Sequence, residues 1–260
     1  MSVTALVIRL IPIVAATAAS SVATAGCVLD SPSYRTALVE LYTSEGCNSC
    51  PPADRWLSSL RASVTASRSV VALAFHVDYW DRLGWRDRFS QAPFGERQRE
   101  LAARQHSRAI YTPQVILDGR ELRRWSDPSL FAERVAAVNR EPAAATISAT
   151  AALEGTAVHV RGLVKLQPLA SGSQAWIALF ENGLATPVTA GENAGRRLQH
   201  DFVVRTLLGP LPAGQDGSLR LDRVLPTASD WDRSQLGVAV FTQDPRTGHV
   251  AQAVARTACL

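Results

Sequence analysis

Two cysteines separated by two residues form the motif with the most chemical content in the sequence. Cys47 and Cys50 enclose Asn48-Ser49, and thiols at this spacing can close a disulfide and reopen it by exchange. The motif follows a strand-like run, residues 36–42, and precedes a helical pattern that begins near Pro51. A helix N-terminus favours the thiolate, which is the attacking species. We therefore expect Cys47 to be the nucleophile and Cys50 the resolving thiol.

The same two cysteines are compatible with two other kinds of site. In an exported chain, a Cys47–Cys50 disulfide can be a fixed structural clip in a redox-inactive binding module. The two thiolates can also bind Cu(I) or another soft metal, with His76 as an additional ligand. No methionine-rich stretch supports copper carriage, because the only methionine is the initiator. The sequence implies no cofactor.

A proline inside the next strand-like run is the second candidate feature. Thr112-Pro113 lies within residues 110–117, and a proline there removes a ladder hydrogen bond, so it belongs at an edge, a strand start or a cis bend. We expect a cis bond facing the Cys47 loop. Thr112 and Pro113 would then align an extended substrate beside the sulfurs, and we count them with the catalytic residues.

Aromatic and acidic residues are concentrated in the segment 76–87, which leaves the end of an apolar strand-like run. The carboxyl ends of strands in open α/β sheets form ligand crevices. His76, Asp78, Tyr79 and Trp80 are therefore candidates to line a substrate groove, with His76 or Asp78 moving protons for the thiols. The alternative is that the tryptophans fill the core and the aspartates form turn hydrogen bonds.

The predicted secondary structure that must position these residues differs between the two halves of the chain. Residues 36–139 alternate in the order β-α-β-α-β-β-α, which predicts an α/β thioredoxin-like domain over residues 34–140. A linker, 141–145, follows. Seven short strand-like segments then predict a small all-β sandwich-like domain over residues 146–260.

The three histidines of the second half carry no recognisable motif. His159, His200 and His249 stand apart from one another and from any cysteine in the sequence. We expect each to be a packed or surface residue, because no catalytic constellation is visible around them. The second half is therefore expected to provide a docking surface for protein partners.

The N-terminus has the pattern of an export signal. A short apolar stretch ends at Ala23-Thr24-Ala25, a cleavage motif, so we expect residues 1–25 to be removed and the mature protein to be periplasmic or secreted, without a transmembrane span. Cys27 lies just past this site, and a lipid anchor there is a minority alternative. If Cys47 pairs with Cys50, then Cys27 and Cys259 remain as an alternative second disulfide.

Charge and composition limit the partners. Hydrophobic residues make up 47% and charged residues 19% of the chain, which indicates a globular protein. The net charge is only +4, and the arginines are scattered apart from Arg123-Arg124 and Arg196-Arg197. A nucleic-acid surface would be denser in basic residues, so nucleic acid is not an expected partner.

Four segments together resemble a known family. Residues 43–54, 76–85, 97–98 and 111–114 are similar to the secreted bacterial family called domain of unknown function 1223. The resemblance implies a thioredoxin-like fold, and the family has no established activity. The combined expectation is an exported thiol-disulfide oxidoreductase that acts on protein thiols or disulfides of the cell envelope, with its redox direction open.

Overall fold

The structure is a computed structural model that describes residue 1, residues 26–258 and residue 260. Among the described residues, strands are more abundant than helices. Apart from residue 1, the predicted signal peptide lies outside the described residues, as does Cys259. Cys27 is disulfide-bonded. No helix in the described ranges is long and apolar enough to cross a membrane.

The strands and helices are numbered along the chain. The strands are β1 (Cys27–Asp30), β2 (Ala37–Thr43), β3 (Val70–His76), β4 (Gln114–Leu117), β5 (Arg120–Glu121), β6 (Ala145–Glu154), β7 (Ala157–Leu166), β8 (Gln174–Glu181), β9 (Leu184–Pro187), β10 (Arg197–His200), β11 (Val203–Pro212), β12 (Ser218–Pro226), β13 (Leu236–Gln243) and β14 (Val250–Thr257). The α-helices are α1 (Pro51–Ser59), α2 (Arg61–Ser67), α3 (Ala92–Arg104) and α4 (Pro128–Asn139), and 3-10 turns cover Asp78–Leu83, Pro168–Ala170 and Arg233–Gln235.

An eight-stranded mixed sheet with the order β14-β13-β8-β11-β3-β2-β4-β5 forms the centre of the molecule. Every residue of β2 and β3 is buried, because both faces of these strands are covered, and their sequences are accordingly almost continuously apolar. β2 and β3 run parallel, whereas β4 runs antiparallel to β2. The C-terminal ends of β2 and β3 and the N-terminal end of β4 therefore lie side by side, on the same side of the sheet.

A second, four-stranded sheet with the order β1-β6-β7-β12 is antiparallel. Buried and exposed residues alternate along most of β6, the pattern of a sheet with one solvated face. The buried side chains of this sheet, among them Ile147, Val160 and Leu221, pack with Ile177 and Val240 of the large sheet in one hydrophobic cluster. The two sheets thus form a sandwich with a shared core.

The predicted fold class is wrong. The chain is not an α/β thioredoxin-like domain followed by a small all-β domain, because strands from both halves of the chain belong to the same large sheet. β11 pairs in parallel with β3 at Val203 and Ala74 and antiparallel with β8, and the amide of Ala74 donates to the carbonyl of Phe202 at 2.8 Å. The free edge of the apolar strand β3 is thereby paired with a strand from the second half.

A small hairpin formed by β9 and β10 lies beside the large sheet. Its connecting segment, residues 188–196, is hereafter the hairpin tip. Within the tip, the amide of Val188 donates to Arg196 and the amide of Gly195 donates to Val188, at 2.9 and 2.8 Å. Strand β10 packs against α1, so the hairpin lies next to the cysteine motif.

Candidate functional site

Cys47 and Cys50 form a disulfide between the end of β2 and the start of α1, with their Cα atoms 5.5 Å apart. Cys50 is the N-cap of α1, and Pro51 and Pro52 occupy its first turn, where prolines fit because the first amides of a helix need no intrahelical acceptor. Both cysteines are 0% exposed. A partner can therefore reach the sulfurs only when the segments around them move.

The turn before β4 lies against this disulfide. The Thr112–Pro113 bond is cis, and the Sγ of Cys47 lies 3.8 Å from the carbonyl oxygen of Thr112 and 3.3 Å from the hydroxyl of Ser49. The pairing of β4 with β2 produces this contact, because it places Gln114 opposite Tyr42 near the end of β2. The hydroxyl of Thr112 is buried and has no hydrogen-bond partner.

The hairpin tip inserts one side chain into the cysteine loop. Asn193 is 0% exposed, and its side-chain amide donates to the carbonyl of Glu45 at 2.8 Å and to the carbonyl of Cys47 at 2.9 Å. The neighbouring Glu192 carboxylate accepts from the amide of Asn48 at 3.1 Å. The second half of the chain therefore holds the cysteine loop directly, through residues that carry no recognisable motif.

The groove candidates occupy different environments. Asp78, Tyr79 and Trp80 lie in the 3-10 turn and are half-buried. Trp80 packs on the cysteine loop, since a Cβ built on Gly46 would lie 3.4 Å from the Cβ of Trp80. His76 is 0% exposed and faces the interior.

Beneath the cysteine loop lies a group of five buried ionisable residues, none more than 6% exposed, which we call the His200 cluster: Glu45, Asp54, His76, Asp87 and His200. They come from five segments, namely the cysteine loop, α1, β3, the loop before α3, and β10. The sequence separates His200 from Glu45 by more than half the chain, so only the pairing of the two halves assembles the cluster.

The first contact in the cluster joins His76 and Asp87. The Nδ1 of His76 lies 2.6 Å from Oδ2 of Asp87, and the same carboxylate oxygen accepts from the backbone amide of Glu45 at 2.8 Å. The second oxygen of Asp87 accepts from the amide of Phe89 at 2.9 Å. These contacts satisfy the Asp87 carboxylate and fix the start of the cysteine loop.

The second contact group surrounds His200. Its Nε2 lies 3.3 Å from Oε1 of Glu45, and its Nδ1 lies 4.0 Å from Oδ2 of Asp54. The indole of Trp85 donates to the other oxygen of Glu45 at 2.9 Å. The rings of His200 and His76 meet edge to face, with their centroids 4.9 Å apart. His200 thus lies between a carboxylate that precedes the cysteines and one that follows them.

A family match and two solved structures relate the chain to known proteins. The family model described as protein of unknown function, DUF1223, matches residues 38–243. The chain belongs to this family. Among curated proteins no match was found.

The two solved structures give the wider context of this DUF1223 protein. Protein AGR_C_4864 from Agrobacterium tumefaciens is 26% identical, with a TM-score of 0.59 over 86% of this chain and 93% of its own. HBP35 of Porphyromonas gingivalis is 12% identical, with a TM-score of 0.66 over 87% of this chain and 76% of its own. The second likeness is one of fold alone.

In this DUF1223 protein, burial and neighbouring charges shift the pKa values of three residues of the His200 cluster. Burial raises the pKa of Asp54 above its ordinary value, although His200 and His76 partly oppose this. Burial alone would lower the pKa of His76, but the Asp87 carboxylate outweighs it and the pKa is raised. Burial would raise the pKa of Asp87, yet His76 holds it below its usual range. His76 and Asp87 therefore form an ion pair, while Asp54 holds its proton more strongly than an exposed aspartate.

Three atoms of the cluster lack a hydrogen-bond partner: Oε1 of Glu45, Nε2 of His76 and Nε2 of His200. Buried polar atoms are normally paired, because an unmade bond costs about 1–3 kcal/mol. No group of three or more His, Cys, Asp or Glu side chains in the described residues is arranged to hold a metal.

The structure brings together four of the predicted site residues, Cys47, Cys50, Thr112 and Pro113, with Trp80 beside them. The sequence reasoning missed Glu45, Asp87, Asn193 and His200. His200 was expected to be an ordinary packed or surface histidine. No sequence signal marks it, since its role depends on strand β10 lying against α1.

Proposed function

We propose that this protein exchanges disulfides with protein partners through Cys47 and Cys50. The observation that carries the proposal is the contact between the Sγ of Cys47 and the carbonyl of Thr112 at 3.8 Å. It puts a backbone carbonyl of the turn before β4 against the disulfide, and an extended partner chain can pair there once the surrounding segments move. The position of the cysteine pair at the start of α1 supports the proposal further, because the helix dipole favours a thiolate.

The reaction needs no group beyond the two cysteines and a partner disulfide. The Cys47 thiolate attacks a partner sulfur, a mixed disulfide forms, and the other partner sulfur leaves with the electron pair and takes a proton. Cys50 then attacks Cys47, the internal disulfide closes and the second partner sulfur is released. The reverse sequence oxidises a partner dithiol. In both directions the hairpin tip must release the cysteine loop, since both cysteines are buried.

A trapping experiment tests the proposal. The Cys50→Ser variant, expressed in the native host with its export signal, should accumulate mixed disulfides that reductant dissolves. The Cys47→Ser variant and the double variant are the matched controls and should trap nothing. Purified wild-type protein should also exchange with glutathione. Absence of a trapped partner together with absence of glutathione exchange would contradict the proposal.

The cell envelope is the compartment that fits this proposal. The export pattern of the N-terminus is typical of proteins delivered to an oxidising space, where protein disulfides are abundant. Partners there would be proteins with exposed thiols or disulfides. Fractionation of the native host, with a signal-deleted variant as control, tests the location separately from the chemistry.

A further inference from the structure

A cavity of about 700 Å³ lies between the β4–β5 hairpin and helix α4. Small-molecule sites in proteins commonly have volumes of about 300–1,000 Å³. Leu130, Arg134 and Val138 follow one another at intervals of four residues, so they lie on one face of α4, and all three line the cavity. None of the lining residues belongs to the cysteine site or to the His200 cluster.

The floor of this cavity is apolar. Leu117 ends β4 and Leu122 follows β5, and these two residues are 7% and 8% exposed. Leu130 and Val138 of α4 are half-buried and pack against the same hydrophobic core. All four side chains line the cavity. An apolar group placed on them would be removed from water, which favours binding.

The carboxylates of the cavity wall are already paired. Three carboxylates line the cavity, and each is bonded by an arginine that also lines it. The pairs are Arg35 with Asp118, Arg35 with Glu141, and Arg123 with Glu121 at 3.0 Å. The negative charge of the wall is therefore neutralised within the wall itself.

Two further arginines of the wall have no such partner. No hydrogen bond or ion pair within the described part of the chain engages the guanidinium groups of Arg120 and Arg134, whereas Arg124 is bonded to Asp127 at 2.6 Å. Arg120 belongs to the hairpin and Arg134 to α4, so the two cations come from both walls of the cavity. Guanidinium groups bind oxyanions through paired hydrogen bonds.

The combination of these features is what indicates a ligand. Exposed arginines are ordinarily solvated, so two unpaired arginines alone would not indicate a site. Here they flank an apolar floor inside a cavity of ligand size. A neutral ligand would leave both arginines unengaged, and a small hydrophilic anion would leave the floor in contact with water.

We propose that this cavity binds a small organic anion. The apolar body of the ligand lies on the four apolar side chains of the floor, and its anionic group is bound by Arg120 and Arg134. Binding is non-covalent and does not involve the cysteines. The inference is therefore independent of the proposed disulfide exchange, and either can fail without the other.

Isothermal titration calorimetry of the purified mature protein with three probes tests the ligand class. Octanoate carries both the apolar body and the charge, octanamide lacks the charge, and acetate lacks the apolar body. We expect octanoate to bind and the other two to bind at least about tenfold more weakly, because each lacks one of the two contributions. Equal affinities for octanoate and octanamide would overturn the proposal, as would absence of octanoate binding at millimolar concentration.

Variants of the wall test the location. Arg120→Gln and Arg134→Gln should each weaken octanoate binding about tenfold and leave octanamide binding unchanged. Arg140→Gln is the matched control, because Arg140 is an exposed arginine at the end of α4 outside the lining. Ala137, a half-buried lining residue of α4, allows a test with both arginines present, since Ala137→Phe fills the cavity and should abolish octanoate binding.

Urea unfolding of the same variants separates lost binding from lost folding. The two glutamine variants should unfold at the wild-type midpoint, because neither arginine has a partner in the fold. Octanoate binding that Arg120→Gln, Arg134→Gln and Ala137→Phe all leave at the wild-type affinity would place the ligand elsewhere and overturn the inference.

Discussion

Two buried charged groups in this protein are built in opposite ways. The first, which we call the Arg97 cluster, consists of Glu40, Tyr42, Arg97 and Gln243. Arg97 binds both oxygens of Glu40 at 2.7 and 3.0 Å and the side-chain oxygen of Gln243 at 2.9 Å. Tyr42 donates to Glu40 at 3.0 Å. No fully buried side-chain nitrogen or oxygen of these four residues lacks a hydrogen-bond partner.

The His200 cluster is equally buried but incompletely bonded. Three of its polar atoms have no partner, and its long contact, 4.0 Å between Asp54 and His200, is no hydrogen bond. The Arg97 cluster joins α3 to β2 and β13, whereas the His200 cluster includes Glu45 and Asp54, which flank the two cysteines in the sequence. The comparison indicates that the buried polar atoms of the Arg97 cluster are fully bonded, whereas those of the His200 cluster are bonded only in part.

Breaking the Arg97 cluster should have the largest effect on stability. Arg97→Met leaves the Glu40 carboxylate buried without its cation, and removing one partner of such a pair costs about 3–5 kcal/mol. Urea unfolding followed by fluorescence measures this loss. Arg99→Met, an exposed arginine of the same helix, is the matched control and should stay within about 0.5 kcal/mol of wild type. A loss below about 1 kcal/mol for Arg97→Met would show that the cluster is not structural in this sense.

Removing the tip contact should have a smaller effect on stability and a direct effect on reactivity. Asn193→Ala leaves the carbonyls of Glu45 and Cys47 without their donor, which favours opening of the loop by about 1–3 kcal/mol. We expect reduction of the Cys47–Cys50 disulfide by dithiothreitol to become about tenfold faster or more. Asn182→Ala removes another buried asparagine that does not touch the cysteine loop. Equal rates in the two variants would contradict the role of the tip.

The pH dependence of stability should give the smallest effect, and His76 and Asp87 of the His200 cluster should contribute to it with opposite signs. The raised pKa of His76 contributes stability that is complete below about pH 6.5 and is lost as the pH rises through the folded value. The lowered pKa of Asp87 contributes stability above about pH 3.9 that is lost as the pH falls through its folded value.

Unfolding free energies measured across neutral and mildly alkaline pH test this assignment. His76→Gln should flatten the decline above pH 6.5, whereas Arg97→Met should shift the whole curve down and leave its slope unchanged. A His76→Gln curve that runs parallel to the wild-type curve would place the titrating group elsewhere.

The sequence predicted local structural features better than the architecture. The cysteine motif, the cis proline and the apolar strand β3 follow from residue types and short spacings, which is why they could be predicted. The fold class could not be, because the pairing of β11 with β3 joins residues more than a hundred positions apart. Asn193 and His200 escaped notice for the same reason, since their neighbours are brought together only by that pairing.

The central claim is that the Cys47–Cys50 disulfide is exchangeable, and its reduction potential tests this most directly. The protein is equilibrated with glutathione buffers of graded ratio, quenched with acid and alkylated, and the peptide containing both cysteines is quantified by mass spectrometry so that Cys27 does not contribute. The account predicts a potential above about −300 mV, within the range of exchanging couples. A value below about −300 mV, typical of structural disulfides, would contradict it.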